Sequence, residues 1–364
     1  MNIHFTGRWL GAALLLTIHL VAFAQSAKLE PVFKDNTYQF TGVAVSKTGR
    51  IFINYPLWTD TYKYAVVEVN KDGTTKPYPD AAWNSWKDGA DPTNKWVCVQ
   101  SLFVDDKDRL WVIDPASPKQ NGVYRDAHKL VCINLATNKV ERQYPFKGIV
   151  GPNSYLNDIR VDTGREVVYI TESQQGGIAV VDIKSGKIRM TLQGDKSVKV
   201  DPTYKFIQDG RLLRDFKGPV KFNSDGLALT PDNNTLYYKP LSDNKLYRIE
   251  TKYLLDPNIA DKALSEKVQD LGKFTSTDGM IIDRNNYLYM GDVQNYDLYR
   301  LHLPDLKREE LVKDKTLLQW PDTYAIHDGY LYITTSQIQH MAKNNGGKST
   351  RTRPYELFRL KIDK

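Results

Sequence analysis

Short apolar runs recur along this chain, each ended by a polar turn and followed by a second run rich in Tyr, Trp, Ile and Val. Six segments carry the pattern: TGVAVSKTGRIFINY from Thr41, QSLFVDDKDRLWVID from Gln100, NDIRVDTGREVVYITES from Asn157, DGLALTPDNNTLYYKPL from Asp225, DGMIIDRNNYLYMGDV from Asp278 and DTYAIHDGYLYITTS from Asp322. Paired strand-like runs around an Asp, Asn or Gly turn signal a β-hairpin. Successive copies start 44 to 68 residues apart, a period that suits propeller blades. The pattern predicts an all-β fold, a six-bladed β-propeller of four-stranded blades. Third strands follow several hairpins, as at Lys245–Ile249 and Asp297–Leu301. Lys28 to Phe40 is expected to pair with Glu356 to Ile362, so that N- and C-terminal strands close the ring and leave only short protected edges. One helical stretch, around Asp256 to Val268, reads as an insertion between the fourth and fifth blades. A sandwich or a solenoid of hairpins does not account for six evenly spread copies with so little helix between them.

The N-terminus follows a different pattern. Arg8 precedes the uncharged, mostly apolar run Trp9 to Phe23, and Ala22-Phe23-Ala24 offers the small-x-small pattern of signal peptidase sites. Residues 1–24 are therefore expected to be a signal peptide, and residues 25–364 a single propeller domain. The run falls short of the ~20 residues that span a bilayer, so no stable membrane insertion is expected. Export to the periplasm or the extracellular space would allow a disulfide between Cys98 and Cys132, the chain's two cysteines. A bridge within one blade and two unpaired buried thiols both fit their placement. The net charge of +7 comes from scattered Lys and Arg. Its one concentration, Lys343 to Arg353, reads as a solvated loop, so no nucleic-acid partner is expected.

Aligned by their strands, the copies place Thr41, Gln100, Asn157, Asp225, Asp278 and Asp322 at one position, just before the first strand. First strands line a propeller's channel, so these polar residues should form a ring at one mouth. Three carboxylates together repel and raise their pKa values unless a cation or donor compensates. Oxygen ligands from Asp and Asn suit a hard divalent cation, Ca²⁺ or Mg²⁺, and Asn157, Asp225 and Asp278 are the candidate ligands. Two other uses are open: each Asp caps its own turn, or the ring hydrogen-bonds an organic ligand. Connections after each second strand return to the same face and should wall a pocket with Tyr55, Trp58, Asp114, Glu172, Gln174, Ser242, Asp292, Gln294, Ser336 and Gln337. Two long insertions, Pro77 to Trp96 and Ser197 to Phe222, are candidate lids or surface decoration. The hydrolase elbow, the phosphate loop and H-E-x-x-H are all absent, and no organic cofactor is expected.

The segments from Gln100 to Asp114, Tyr155 to Asp162, Ser224 to Asp232 and Leu236 to Leu241 resemble the Yellow / major royal jelly protein family, with a likeness running from about Phe40 to Phe358. The resemblance implies a secreted six-bladed propeller holding a small molecule, an aromatic amine or catechol-like compound, at its channel. Members are linked to dopachrome conversion and to binding of biogenic amines. On this reading Thr41, Tyr55, Trp58, Gln100, Glu172, Gln174, Asp292 and Asp322 are ligand-binding candidates. A wider likeness runs to the gluconolactonase / senescence-marker propellers, which hold a divalent metal with a Glu, two Asn and an Asp. Asn157 matches one Asn, Asp225 replaces the other, and Asp278 matches the Asp that serves as ligand and base, whereas Thr41-Gly42-Val43 replaces the segment with the Glu. Three functions follow: a binder or isomerising enzyme of the Yellow type, a metal-dependent lactonase with Asp278 as base, or a non-enzymatic binding propeller.

Overall fold

The computed structural model describes residue 1 and residues 28–59 and 63–362. The expected signal peptide and the expected start of the mature chain lie outside the described residues. Six four-stranded antiparallel sheets form. The first strands are Gly42–Val45, Ser101–Val104, Leu156–Asp162, Ser224–Leu229, Met280–Ile282 and Pro321–His327. Each packs against the first strand of the next sheet, and the last packs against the first, so the six surround one channel as a six-bladed β-propeller.

The repeat's turn chemistry explains why each hairpin forms. In the second blade Asp105 Oδ1 accepts the N–H groups of Lys107 at 2.9 Å and Arg109 at 3.0 Å, while Oδ2 accepts the Trp111 indole N–H at 2.8 Å. Asp283 repeats this in the fifth blade, with Asn285, Tyr287 and the Tyr289 hydroxyl. The next turn residue sits in the left-handed region, at φ 56° for Asp108 and 62° for Asn286, which Asn and Asp tolerate better than most residues.

Closure is as the sequence predicts. Glu30–Asp35 forms the outermost strand of the sixth blade and pairs antiparallel with Tyr355–Lys361. Phe33 of that closing strand is buried and lies 5.7 Å, ring centre to ring centre, from Phe40.

Two expectations change, and of the two cysteine readings the structure has the unpaired one. The helical segment is two short helices, Thr251–Leu255 and Asp261–Ser265, and it lies inside the fourth blade, because Gln269–Lys273 returns to pair with Lys245–Glu250. Pro77 to Trp96 is packing and no lid: the Trp83 and Trp96 rings lie 4.5 Å apart in the core shared by the first two blades. Cys98 and Cys132 are both buried free thiols. Cys132 lies in the core between the second and third blades, whereas the Cys98 backbone is pinned at the end of the second strand by Asp114 Oδ1 at 2.9 Å.

The closing strand yields a stability test. Phe33→Ala should lower the unfolding free energy by about 3 kcal/mol, as large-to-small core changes do. Urea denaturation checks this, and a cost under about 1 kcal/mol would show that closure does not depend on Phe33.

Candidate functional site at the channel mouth

The first strands bring their entry residues together through a local irregularity. In the third, fourth and sixth blades the register shifts just after the ring residue, between Leu156 and Ile159, Ser224 and Leu227, and Pro321 and Tyr324. Such bulges re-aim side chains. Glycine then permits close approach of neighbouring blades. A Cβ on Gly226 would lie 2.2 Å from the Asp278 carbonyl oxygen, and one on Gly279 would lie 2.5 Å from that of Asp322. The Asp-Gly pairs of the repeat are thus a packing requirement that sets Asp225, Asp278 and Asp322 in sequence around the mouth.

Gln100, Asn157, Asp225 and Asp278 line one cavity with Trp58, Tyr155, Phe222, Trp320 and Lys343. Its volume of about 30 Å³ holds about two waters. A hydrogen-bonded circuit orders the wall. The Trp58 indole N–H donates to the Tyr155 hydroxyl at 2.8 Å, and that hydroxyl donates to Gln100 Oε1 at 2.7 Å. Gln100 Nε2 donates to Asn157 Oδ1 at 3.1 Å, and Asn157 Nδ2 donates to Ser173 Oγ at 2.9 Å. Across the cavity the Trp320 indole N–H donates to Asp278 Oδ2 at 2.6 Å.

Burial dominates the electrostatics. Asp225 is pushed well above the usual carboxylate range by desolvation, then by the charges of Asp278, Asp158 and Asp322. Desolvation raises Asp278 to about 7, with Trp320 and a hydrogen bond from Asp225 pulling the other way. The hydrogen bond between the two carboxyls thus raises Asp225 and lowers Asp278. Asp322 is also raised well above its ordinary value, by burial and then by Asp278. Asp158, one residue beyond the ring, is raised by burial and accepts the Ser101 hydroxyl at 3.0 Å. Two buried cations stand near these four acids. Lys239 is lowered to about 8 by desolvation and donates to the carbonyls of Pro240 and Asp243. Arg160 donates to the Met280 carbonyl across the channel. No protein donor reaches Asp225 Oδ1 or Asp322 Oδ2, although both are buried.

Several candidates lie elsewhere. Thr41 is buried outside the cavity, its Oγ1 accepting from Asn54 at 3.1 Å. The Tyr55 hydroxyl donates to Asp35 Oδ2 at 2.8 Å, which ties it to the ring closure. Glu172 accepts four backbone N–H groups, from Tyr155, Gln174, Gln175 and Gly176, and so builds its own turn, where Gln174 also lies. Asp292 does the same with Gln294 and Asn295, and Asp114 with Val97, Cys98 and Ala116. Carboxylates already saturated by N–H groups have little left for a ligand. Asp322 does not line the cavity and acts on it through its charge. Of the two insertions, Ser197 to Phe222 does cover this mouth: Phe206, Leu213 and Val220 pack on Trp320 and Ile338, and Phe222 lines the cavity.

The sequence reading missed Gln120, Tyr155, Phe222, Trp320 and Lys343. Tyr155 and Trp320 each stand two residues before a ring position, a signal the alignment contained. Lys343 donates to Gln120 Oε1, and its ammonium lies 5.9 Å from the Trp58 ring centre and 5.8 Å from that of Phe222.

As to a metal, the donor set is a poor fit in this arrangement. Asn157 Oδ1 already accepts from Gln100. Among the described residues no group of three or more His, Cys, Asp or Glu is arranged to hold a metal ion.

The acid pair makes stability depend on pH. Asp278 ionises near 3.8 in the unfolded chain and near 7 when folded, so between these values the folded state binds more protons. Stability should be full below about pH 4 on this account and fall as pH rises to about 7. Asp278→Asn should flatten that slope and stabilise the protein at pH 8 by ~1 kcal/mol or more. Thermal melts from pH 4.5 to 8 check this, and an unchanged slope refutes the buried pair.

Residues 97–357 match the sequence profile of the major royal jelly protein family. Major royal jelly protein 5 of Apis mellifera is 24% identical over 246 residues, covering 65% of this chain and 39% of that protein. Protein yellow of Drosophila melanogaster is 25% identical over 228 residues, covering 57% of this chain and 40% of that protein. The chain spans half or less of the length of these relatives. Among solved structures, a gluconolactonase from Xanthomonas campestris superposes with a TM-score of 0.57 at 13% identity, covering 95% of this chain and 94% of the other. The calcium-binding protein regucalcin from Agrobacterium tumefaciens gives 0.53 at 12% identity, covering 93% and 94%. These structural likenesses share the propeller, and with a profile match over most of the ring the chain belongs to the major royal jelly protein family.

Proposed function

We propose that the protein is exported as residues 25–364 and binds a small aromatic amine at the ring mouth, where the Asp225–Asp278 pair can also move a proton. The observation that carries this reading is the surplus of buried carboxyls. Asp158, Asp225, Asp278 and Asp322 face two buried cations, Arg160 and Lys239, and two of their oxygens have no protein donor. An ammonium group supplies a donor for Asp225 Oδ1, and its charge would favour ionisation of acids that burial holds protonated. The aromatic wall of Trp58, Tyr155, Phe222 and Trp320 suits the ring of such a ligand. Lys343, seated over Trp58 and Phe222, is the chain's own example of an ammonium accepted at this mouth. A ligand larger than two waters requires the covering segments, Ser197 to Phe222 and the turns Ile338–His340 and Ala342–Asn344, to part.

The second reading is a divalent cation at the same oxygens, with lactone hydrolysis as the activity. It draws on the two orphaned carboxyl oxygens and on the shared fold with a gluconolactonase and a calcium-binding protein. It requires Asn157 to release Gln100 and Asp225 to be ionised.

Titration calorimetry with tyramine tests the first reading. Binding should weaken about ten-fold or more in Asp278→Asn and in Trp58→Ala, the scale of losing one charge-assisted contact. The control 4-ethylphenol, which lacks only the ammonium, should not bind. Silence toward tyramine in folded protein refutes the amine reading. Stoichiometric Ca²⁺ or Mg²⁺ by elemental analysis, with lactone turnover that chelation abolishes, would replace it with the second.

A further inference from the structure

The opposite mouth of the channel offers far more room. The first strands of the first, second, fifth and sixth blades, with the turns that follow them, surround a cavity of about 650 Å³. Small-molecule sites fall at roughly 300–1,000 Å³. Its wall is apolar, with Val43, Val45, Phe103, Val104, Ile281 and Ile326. It shares no lining residue with the cavity at the ring mouth, and Arg160 reaches from the third blade to the Met280 carbonyl of the fifth and lies 5.1 Å from the Phe103 ring centre.

Charge on this mouth is unevenly committed. The rim carries Lys47, Arg284 and Lys361 against Asp283 and Asp328. Asp283 is turned inward, with Oδ1 on the Asn285 and Tyr287 N–H groups and Oδ2 on the Tyr289 hydroxyl. Lys47, Lys361 and Asp328 have no ion pair among the described residues, which leaves the uncommitted cations in excess by one. Beneath Phe103 the buried Arg160 keeps an Nε–H that no acceptor reaches. The cavity thus joins an apolar wall to cations at its rim and a further guanidinium below its floor.

We propose that this second mouth is a binding site for an amphipathic carboxylate, whose apolar body lies along Val43, Phe103 and Ile281 while its carboxylate meets Lys47 and Lys361. The site is independent of the amine reading, since its residues belong to the other end of the channel.

Calorimetry of the folded protein with octanoate at pH 7.5 tests it. Octanoate should bind with a stoichiometry of one. Octanol, with the same chain and no charge, should bind at least about ten-fold more weakly, as should octanoate to the double variant Lys47→Glu, Lys361→Glu. Both lysines are exposed, so the double variant should fold, and circular dichroism confirms that it has. Asp278→Asn, at the ring mouth, should leave octanoate binding unchanged. No heat with several millimolar octanoate overturns the proposal, as does equal binding by octanol or by the double variant, or loss of binding in Asp278→Asn. Tyramine binding by the same preparations reports separately on the ring mouth.

Discussion

Closure of the ring is the constraint from which the rest of the molecule follows. Once Glu30–Asp35 pairs with Tyr355–Lys361, the six first strands have a fixed perimeter and must converge on one axis. Convergence leaves no space for side chains where neighbouring backbones meet at the mouth, and Gly226 and Gly279 answer that demand beside Asp278 and Asp322. The two residues that follow Asp225 and Asp278 are therefore small for steric reasons. The acids just before them are brought together as a consequence. In the third blade the same position holds Asp158, and Gly279 leaves it room: a Cβ there would lie 3.5 Å from Asp158 Oδ2.

This arrangement costs stability, and that cost separates a site from a structural detail. Burying a carboxyl without donors is unfavourable, and several together are worse unless protons or cations compensate. A ring built for stability alone would be better served by apolar groups or amides at these positions. The loop carboxylates make the contrast. Glu172 and Asp292 are also buried, yet each is surrounded by backbone N–H groups. Asp225 and Asp322 keep an oxygen that nothing in the protein satisfies. Of the two, Asp225 lines a cavity walled by aromatic rings, and an unsatisfied buried acid in such a place is what supports the ligand-binding proposal.

Much of this was legible in the sequence, for identifiable reasons. The hairpin repeat fixes blade number because each copy carries its own turn chemistry, as Asp105 and Asp283 show. The ring register is readable because Asp-Gly recurs where two backbones must touch. The loop carboxylates misled because Asp or Glu after a second strand serves turn capping and ligand binding with the same chemistry, and only geometry separates the two. Tyr55 misled in the same way, its aromatic ring belonging to the closure through Asp35. Gln120, Phe222 and Lys343 come from long connections whose path no local pattern sets, so their arrival at the mouth depends on packing such as that of Phe206 and Leu213 on Trp320. The insertion holding Thr251–Leu255 and Asp261–Ser265 was misplaced because the fourth strand after it, QDLGK, carries little apolar signal.

The two proposed sites are biased by one couple of opposite buried charges, Asp158 and Arg160. Arg160 ties the third blade to the fifth by donating to the Met280 carbonyl, and Asp158 ties it to the second by accepting from the Ser101 hydroxyl. Both are fully desolvated: burial lowers the guanidinium and raises the carboxyl, while each charge favours the other. Their positions have opposite effects on the two mouths. The charge of Asp158 raises Asp225, Asp278 and Asp322, a negative bias that would favour a cation at the ring mouth. Arg160 sits against the Phe103 ring, which lines the larger cavity, so its positive charge would favour an anion there. Two adjacent buried charges thus bias the two cavities in opposite senses, which is why the two proposed ligands differ in the sign of their charge.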